Sequence, residues 1–256
     1  MVRIEIDGAD PSAEQLAAVA LDDYGHFTTM QVRSRRVRGL SLHLARLTAA
    51  HSEMFGHPLD GDLAVRLIRH AMATEEVADA TVRVLVRHLD DRPSIMITIR
   101  PPGGMPGSPW RLRSVPYLRP AAHLKHLGDF GQAYYQRQVK RDGYDEALLT
   151  GPDGVIAEGS ITNIGFFDGA AITWPDAPVL AGITMQLVQQ HLGDFGLTYR
   201  NAPVHLTDVA SFDAAFVTNA RGIAPVAAID EVTLPVNIGL MARLDKAYES
   251  ASWDRI

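Results

Sequence analysis

The apolar residues of the chain recur with two different spacings, and each spacing predicts a different kind of element. Alternating or short continuous apolar runs bounded by turn residues predict strands at Val2–Ile6, His26–Val32, Thr81–Val86, Ser94–Ile99, Ala147–Leu149, Asn163–Phe167, Ala171–Trp174 and Ala214–Thr218. Apolar residues three and four positions apart predict helices at Leu42–Met54, Ala64–Met72, Gly131–Asp142, Met185–His191 and Gly239–Ser252. Tight turns are predicted between strands at Asp90-Asp91-Arg92-Pro93, Asp153-Gly154 and Asp168-Gly169.

A loop rich in proline and glycine, Pro101–Pro109, divides this pattern into two parts. Strands and helices alternate before the loop, whereas short strands and isolated helices follow it. We therefore expect two domains, a small N-terminal α/β domain over residues 1–117 and a larger, β-rich C-terminal domain over residues 118–256. This arrangement favours an α+β fold over a regular doubly wound sheet.

Charge and composition exclude several classes of function. The 256 residues carry a formal net charge of −6, whereas nucleic-acid binders usually present a basic face, so we expect no nucleic-acid partner. The chain contains no cysteine, which excludes disulfides, cysteine-ligated zinc and thiol nucleophiles. One local basic run, formed by Arg33, Arg35, Arg36 and Arg38, is interpreted either as a solvated strand and turn or as an anion-attracting rim.

The sequence also gives expectations about location and metals. No apolar run has the length of a membrane-spanning helix, and the first residues alternate like a strand instead of resembling a signal peptide. We therefore expect a cytoplasmic protein with no membrane partner. The histidines lack the spacing of metal ligands, so we expect no metal site. Phosphate-loop, dinucleotide-binding and serine-elbow motifs do not occur in the sequence.

Lysine is scarce in this chain, so few side chains can supply a nucleophilic amine. Lys and Arg total 24, yet the only lysines are Lys125, Lys140 and Lys246. Lys125 lies in the apolar stretch Ala121–Leu127, with no carboxylate within three residues. Desolvation lowers the pKa of a lysine ammonium and makes the free amine a nucleophile toward carbonyl groups. A packed structural lysine is the alternative interpretation of this position.

Five separated segments, in order, resemble the fold-type IV pyridoxal-phosphate enzymes. This group includes the class IV aminotransferases, such as branched-chain and D-amino acid aminotransferases, and the aminodeoxychorismate lyases. The segments that carry the resemblance are Tyr24–Thr29, Ser41–Leu47 with its His-x-x-Arg-Leu pattern, Asp145–Ile164 with its Glu158-Gly159-Ser160 core, Leu180–Thr184 and Thr218–Val226. The resemblance implies a two-domain fold like that of D-amino acid aminotransferase.

The resemblance also implies a cofactor, pyridoxal 5'-phosphate, and a role for each matched residue. Lys125 would bind the cofactor covalently and then act as general base and acid on the substrate's α-proton. Glu158 would keep the pyridine nitrogen protonated. The cofactor phosphate would be held by the following set: Arg46, Ile183, Thr184, Thr218 and Asn219. Substrate contacts would come from a further set: Tyr24, Thr28, Phe130, Ala220 and Arg221.

Departures from the family pattern leave the reaction open between two enzymes. Phe130 stands where branched-chain aminotransferases carry a tyrosine, and Met185 stands where aminotransferases commonly carry an arginine. The leading hypothesis is transfer of an amino group between an amino acid or amine and a 2-oxo acid, by a homodimer. The alternative is an aminodeoxychorismate lyase that releases 4-aminobenzoate and pyruvate. A pyridoxal-phosphate-binding protein without catalytic activity is the remote alternative.

Overall fold

The computed structural model describes residues 2–89 and 92–256; Met1 and the predicted turn residues Asp90 and Asp91 lie outside the described residues. The helices are α1 (Ala13–Leu21), α2 (Leu40–Phe55), α3 (Gly61–Thr74), α4 (Phe130–Arg141), α5 (Ile183–His191) and α6 (Ile238–Glu249). The strands are β1 (Arg3–Ile6), β2 (His26–Val32), β3 (Arg36–Arg38), β4 (Ala80–Leu89), β5 (Arg92–Arg100), β6 (Trp110–Pro116), β7 (Glu146–Thr150), β8 (Ile156–Gly159), β9 (Asn163–Phe167), β10 (Ala171–Pro175), β11 (Thr198–Ala202), β12 (Ala214–Asn219), β13 (Gly222–Ile229), β14 (Val232–Thr233) and β15 (Trp253–Arg255).

The chain forms two compact units. Unit 1 comprises Met1–Gly103, Leu124–Gly128 and Ser252–Ile256, and unit 2 comprises Gly104–His123 and Asp129–Ala251. This division differs from the predicted boundary between residues 117 and 118. The reason is that β6 pairs with β7 and β13 and so belongs to the second sheet, whereas the short segment around Lys125 pairs with β2 in unit 1.

Unit 1 is built on an antiparallel four-stranded sheet with the order β1-β5-β4-β2. Residues of β2 are alternately buried and half-buried, as a strand with one core-facing side requires. The buried face packs against an apolar stripe of α3 that includes Ala64, Ile68 and Ala71. The side chain of Asp60 caps α3 by accepting hydrogen bonds from the first-turn amides of Asp62 and Leu63.

Unit 2 contains a mixed nine-stranded sheet. Eight strands follow the order β11-β10-β9-β12-β13-β6-β7-β8, and β14 pairs with β13. Every residue of β7 and β9 is buried, as expected for central strands covered on both faces. Helices α5 and α6 share an apolar cluster with β9, β10 and β12, and α4 packs through Val139 against Ala147 and Leu149 of β7. The predicted α+β fold is confirmed.

Candidate active site

The Lys125 segment joins unit 1 as a short extra strand beside β2. The backbone amide of Phe27 donates to the carbonyl of Lys125 at 2.9 Å, and the amide of Leu127 donates to the carbonyl of Gly25 at 2.9 Å. Glycine is needed at position 25, because an added Cβ would lie 2.8 Å from the carbonyl oxygen of Val86 and 2.9 Å from Leu127 Cδ1. The sheet thereby fixes the backbone from which the lysine side chain extends.

The side chain of Lys125 is half-buried and lies over an aromatic ring. Its Nζ is 4.8 Å from the ring centroid of Phe27, and the Arg83 guanidinium carbon is 3.7 Å from the same centroid. Phe27 alternates with the buried positions of β2, so its ring projects from the face of the strand opposite to the core. The amine is therefore held against a ring rather than in the core of unit 1.

A buried histidine lies near both Lys125 and Arg46. His43 of α2 is 4% exposed, and its Nδ1 is 2.7 Å from the hydroxyl oxygen of Thr28. Burial, followed by the charges of Arg46 and Lys125, lowers the pKa of His43 to about 3. Arg46 follows His43 by three residues, which places the two side chains on the same side of α2. His43 is consequently neutral at physiological pH.

Tyr24 and Thr28, both predicted substrate contacts, have different environments. The side chain of Tyr24 is 55% exposed, its ring packs edge-on against Phe55 at 5.4 Å, and its hydroxyl donates to the carbonyl of Met54. Thr28 is fully buried, with 0% exposure, and its hydroxyl is engaged with His43. Tyr24 can therefore contact a ligand directly, whereas the geometry of Thr28 suits a role in holding His43.

In unit 2, a buried ion pair holds the carboxylate predicted to contact the cofactor ring. Arg119 Nη1 donates to Glu158 Oε1 at 3.0 Å and to the carbonyl of Ala122 at 2.8 Å. The second carboxylate oxygen of Glu158 accepts from the amide of Leu180 at 3.1 Å. Both side chains are nearly inaccessible, at 5% and 6%. A guanidinium this close favours the ionised carboxylate.

The loop after Leu180 leads directly into the N-terminus of α5. Gly182 is the N-cap residue, and no side chain caps the helix. An added Cβ at Gly182 would lie 1.8 Å from Asn163 Oδ1, so glycine is required for this close approach. The first-turn amides of Ile183 and Thr184 carry the positive end of the helix dipole, which suits an anion.

Residues of the loop between β12 and β13 meet the first turn of α5. The hydroxyl of Thr184 donates to the carbonyl of Asn219 at 2.7 Å, and Asn219 Oδ1 accepts from the amide of Arg221 at 2.8 Å. Thr218 is 1% exposed, and its hydroxyl has no hydrogen-bond partner among the described residues. An unsatisfied buried hydroxyl is costly unless a ligand or water completes it. Ala220, a predicted substrate contact, lies between Asn219 and Arg221 in the chain.

A second buried carboxylate supports the strand end that carries Glu158. Glu146 accepts hydrogen bonds from the amide of Ile161 at 2.7 Å and from the hydroxyls of Thr162 at 2.8 Å and Ser160 at 3.2 Å. Burial raises the pKa of Glu146 to about 7, although these hydrogen bonds and the charge of Arg221 oppose the rise. Glu146 thus stabilises the turn at residues 160–162 through these three hydrogen bonds.

Phe130, another predicted substrate contact, begins α4 and is 80% exposed. Its ring lies 5.9 Å from that of Tyr134 in a stacked arrangement. Phe130 has no hydroxyl group, and the aromatic surface that it forms with Tyr134 is available to an apolar or aromatic ligand.

Three of the residues described above were not assigned by the sequence analysis: His43 in unit 1, and Arg119 and Glu146 in unit 2. His43 lies within the His-x-x-Arg-Leu pattern, so a signal for it was present. Glu146 and its partners at 160–162 lie within the matched segment Asp145–Ile164, whereas Arg119 acquires its role from Glu158, 39 positions later, and no local pattern marks it.

Among residues 2–89 and 92–256, no group of three or more histidine, aspartate or glutamate side chains is arranged to hold a metal ion. Within the same ranges, no helix combines the length and apolar character needed to cross a bilayer.

The sequence profile of the amino-transferase class IV family matches residues 25–229. An aminodeoxychorismate lyase of Bacillus subtilis is 30% identical over 112 residues, which cover 43% of this chain and 38% of that protein. A probable branched-chain-amino-acid aminotransferase of Rickettsia felis is 36% identical over 84 residues, covering 32% of this chain and 29% of the relative. The aligned stretches thus span well under half of the curated relatives' length.

Solved structures with this fold match nearly the whole chain. A branched-chain aminotransferase from Thermoproteus uzoniensis, solved with norvaline, aligns with a TM-score of 0.84 at 20% identity, covering 96% of this chain and 93% of that chain. A hypothetical aminotransferase from Mycobacterium tuberculosis, in a PLP-bound form, aligns with a TM-score of 0.82 at 19% identity, covering 97% and 98%. At these identities the likeness shows the fold.

Proposed function

Because the chain belongs to the class IV aminotransferase family, we propose that it is a pyridoxal-phosphate enzyme that transfers an amino group between an amino acid or amine and a 2-oxo acid. The observation that carries this proposal is the buried Glu158–Arg119 pair, hydrogen-bonded to the loop that leads into the uncapped N-terminus of α5. A fixed negative charge and an anion-binding helix end occur within one short stretch of structure. This combination suits a ligand that has both a basic ring nitrogen and a phosphate.

Other described residues fit the same cofactor. The unsatisfied hydroxyl of Thr218 and the amides of Ile183 and Thr184 offer donors for phosphate oxygens, with Asn219 supporting the hydroxyl of Thr184. Arg46 adds a planar guanidinium suited to phosphate. When bound, pyridoxal phosphate supplies an electron-withdrawing ring that stabilises the negative charge left after the substrate loses its α-proton.

The residues of the chain supply the remaining chemistry. The Nζ of Lys125 would hold the cofactor, and as general base and acid it would accept and return the substrate's α-proton. The strand pairing of the Lys125 backbone with β2 keeps this amine in place during the proton transfers. Glu158, hydrogen-bonded to Arg119, would hold a proton on the ring nitrogen of the cofactor. Tyr24, Phe130, Ala220 and Arg221 are proposed to contact the substrate.

An aminodeoxychorismate lyase is the second candidate, and one observation favours it. Phe130 is exposed and stacked with Tyr134, so this position offers an aromatic surface and no phenol. The relative from Bacillus subtilis bears the name of that enzyme. The acidic and basic groups described above would serve both reactions, which differ in whether the substrate is released as an oxo acid or loses a leaving group.

A substrate panel separates the two reactions. The purified protein, supplied with pyridoxal phosphate, is given aminodeoxychorismate alone, or L-amino acids, D-amino acids or amines with pyruvate or 2-oxoglutarate. Formation of alanine or glutamate is expected for the proposed transaminase. Pyruvate released from aminodeoxychorismate without any oxo acid would favour the lyase. A protein that binds the cofactor but converts no substrate would favour the inactive alternative.

The attachment of the cofactor to one lysine is tested separately. Borohydride reduction followed by peptide mass spectrometry is expected to find the cofactor on Lys125, and the Lys125→Ala variant is expected to retain none. Lys140→Ala is the matched control, since Lys140 lies on the exposed face of α4. Trapping on Lys140 or Lys246, or no trapping in the parent protein, would overturn the assignment.

The quaternary structure and the location remain part of this proposal. By family resemblance we propose a homodimer, which sedimentation of the purified protein measures directly. We also propose that the enzyme works in the cytoplasm on small amino acids or amines and 2-oxo acids.

A further inference from the structure

A cleft of about 650 Å³ in unit 1 is lined largely by arginine. Arg33, Arg35, Arg36 and Arg255 contribute to its wall together with Trp253. None of the residues assigned to the proposed active site lines this cleft. Its volume lies within the range of small-molecule sites. The cleft therefore concentrates positive charge in a chain whose net charge is −6.

The backbone around the cleft is fixed before any ligand arrives. The hairpin tip from Arg33 to Arg36 is closed by two reciprocal backbone hydrogen bonds of 2.9 Å, with Ser34 and Arg35 in the left-handed region at φ 49 and 56. The amide of Ser34 donates to Asp79 Oδ1 at 2.7 Å and that of Arg35 to the carbonyl of Ala78 at 2.9 Å. Two consecutive non-glycine residues with positive φ are uncommon, and the surrounding bonds hold them in this conformation.

The pairing of β15 with β3 brings like charges together. Arg255 lies directly opposite Arg36, and Trp253 lies opposite Arg38. Like charges facing each other across a strand pair are destabilising. The guanidinium carbon of Arg38 lies 4.2 Å from the centroid of the Trp253 ring, so further positive charge adjoins the cleft. Such an arrangement costs stability in the empty protein, and an anion between the arginines would remove the repulsion.

Acidic side chains do not neutralise the cleft. Within residues 2–89 and 92–256, no carboxylate forms an ion pair with Arg33, Arg35, Arg36 or Arg255. The guanidinium of Arg33 instead donates to neutral acceptors, namely the carbonyls of Val32 and Gly103 and the side-chain oxygen of Gln31. The carboxylates of Asp79 and Asp254 accept hydrogen bonds from the backbone amides of Ser34 and Leu40, respectively.

We propose that this cleft is a second ligand site, which binds a small molecule bearing a phosphate ester or diphosphate with at least two negative charges. Arginine forks match phosphate oxygens in pairs, and four of them around one cleft favour a multiply charged anion over a single carboxylate. The cleft volume of about 650 Å³ and the negative net charge of the whole chain favour a small ligand over a nucleic acid, which needs an extended basic surface.

Tryptophan fluorescence provides a local probe of binding. Trp110 and Trp174 are 5% and 2% exposed and belong to unit 2, whereas Trp253 lines the cleft. The full-length protein, with pyridoxal phosphate bound at its active site and the unbound cofactor removed, is titrated with pyrophosphate at constant ionic strength. We expect a saturable fluorescence change that the Trp253→Phe variant loses.

Charge variants test whether the arginines form the site. In the double variant Arg36→Ala/Arg255→Ala, pyrophosphate is expected to bind at least tenfold more weakly, and the melting temperature is expected to stay the same or rise. The control Arg137→Ala/Arg141→Ala removes the same charge from the exposed face of α4 and is expected to change neither. These expectations do not depend on the enzymatic activity of the chain.

Three outcomes would overturn the proposal. The first is no saturable signal with pyrophosphate at millimolar concentration. The second is equal weakening in the two double variants, which would indicate a general effect of charge. The third is tighter binding of a single-stranded oligonucleotide than of pyrophosphate at equal phosphate concentration, which would indicate a nucleic-acid surface.

Discussion

Glu158 is the charged residue that we propose to face the cofactor ring, and Arg119 and the amide of Leu180 each donate a hydrogen bond to one of its carboxylate oxygens. The variant Glu158→Gln keeps the size of the side chain and removes its charge. We expect kcat to fall by about 100-fold, the scale found when a preorganised electrostatic contact to a reacting group is removed. Borohydride trapping at Lys125 should persist, since the lysine is unchanged.

Glu146→Gln is the matched control for Glu158→Gln, because it removes a second buried carboxylate from the same unit without touching the proposed ring contact. Steady-state kinetics of the three proteins make the comparison. Equal losses in both variants would mean that Glu158 acts only through the structure of unit 2.

Thr28 shows how burial changes the assignment of a motif residue. Thr28→Val removes the hydroxyl that pairs with His43 and leaves a buried ring nitrogen without its partner. We expect the free energy of unfolding to fall by about 1 to 3 kcal/mol, the usual cost of a buried polar group left unpaired, with little change in KM. Denaturant unfolding and kinetics measure the two effects, and Thr29→Val on the other face of β2 is the control. A stable Thr28→Val protein with an altered KM would restore Thr28 as a substrate contact.

Among the elements, the short strand that carries Lys125 depends on the absence of a side chain at Gly25. In Gly25→Ala, the new methyl group would meet Val86 and Leu127 within 2.9 Å, an overpacking that costs about 1 to 3 kcal/mol. We expect the Lys125 strand to shift and the affinity for pyridoxal phosphate to fall about tenfold, since about 1.4 kcal/mol corresponds to that factor. Gly61→Ala is the control, because its nearest neighbour would lie at 3.7 Å. Absorbance titration with the cofactor measures both variants, and equal affinities would contradict the expected role of this strand.

Some of the helices and strands could be predicted from the sequence pattern, and others could not. The alternation in β2 and the apolar run in β9 predict both strands with the bounds they have in the structure. Helix α1 was missed although Leu16 and Val19 have helical spacing and Ser12 and Gln15 form a capping box at its start. β15 is stabilised by a partner more than two hundred positions earlier in the chain, which no local pattern reveals. β6 has clear alternation, and the sequence did contain its signal.

Some residues of the candidate site were likewise predicted from the local sequence, whereas others depend on how the chain folds. Lys125, Glu158 and the first turn of α5 were predicted from contiguous stretches of sequence, and their roles stay predictions. The pairing of Arg119 with Glu158 depends on how the chain folds, since 39 positions separate the two residues. Thr28 is buried because of the register of β2 and the packing of α2, which brings His43 against its hydroxyl. The local sequence does not reveal either of these.

At the scale of the whole molecule, the two units are expected to respond to pH in opposite directions. In unit 1, burial lowers the pKa of His26 to about 4 and that of His43 to about 3. A depressed histidine pKa contributes stability that is complete above the ordinary value of about 6.5 and is lost as the pH falls through the folded-state pKa. Acidification from neutral pH therefore weakens unit 1.

Unit 2 has the opposite dependence because burial raises the pKa of Glu146 from 4.5 to about 7. This contribution to stability is complete below 4.5 and is lost as the pH rises through about 7. The rise corresponds to at most about 3.5 kcal/mol, at about 1.4 kcal/mol for each pKa unit. Burial also raises the pKa of Asp245 in α6, which adds to the same trend, whereas the lowered pKa of Asp168, about 2, takes effect only under strongly acidic conditions.

Hydrogen exchange at pH 5 and pH 8 resolves the two units within one sample. After correction for intrinsic exchange rates, amides in β9 of unit 2 are expected to have a higher opening free energy at pH 5, and amides in β4 of unit 1 a higher one at pH 8. Glu146→Gln keeps an acceptor for the amide of Ile161 and can donate to the hydroxyl oxygen of Thr162, so it should fold. It is expected to remove most of the pH dependence of unit 2 and to leave that of unit 1 unchanged. If both units changed in parallel with pH in the parent protein, a single shared unfolding equilibrium would account for the data, and the buried carboxylate would not control unit 2 separately.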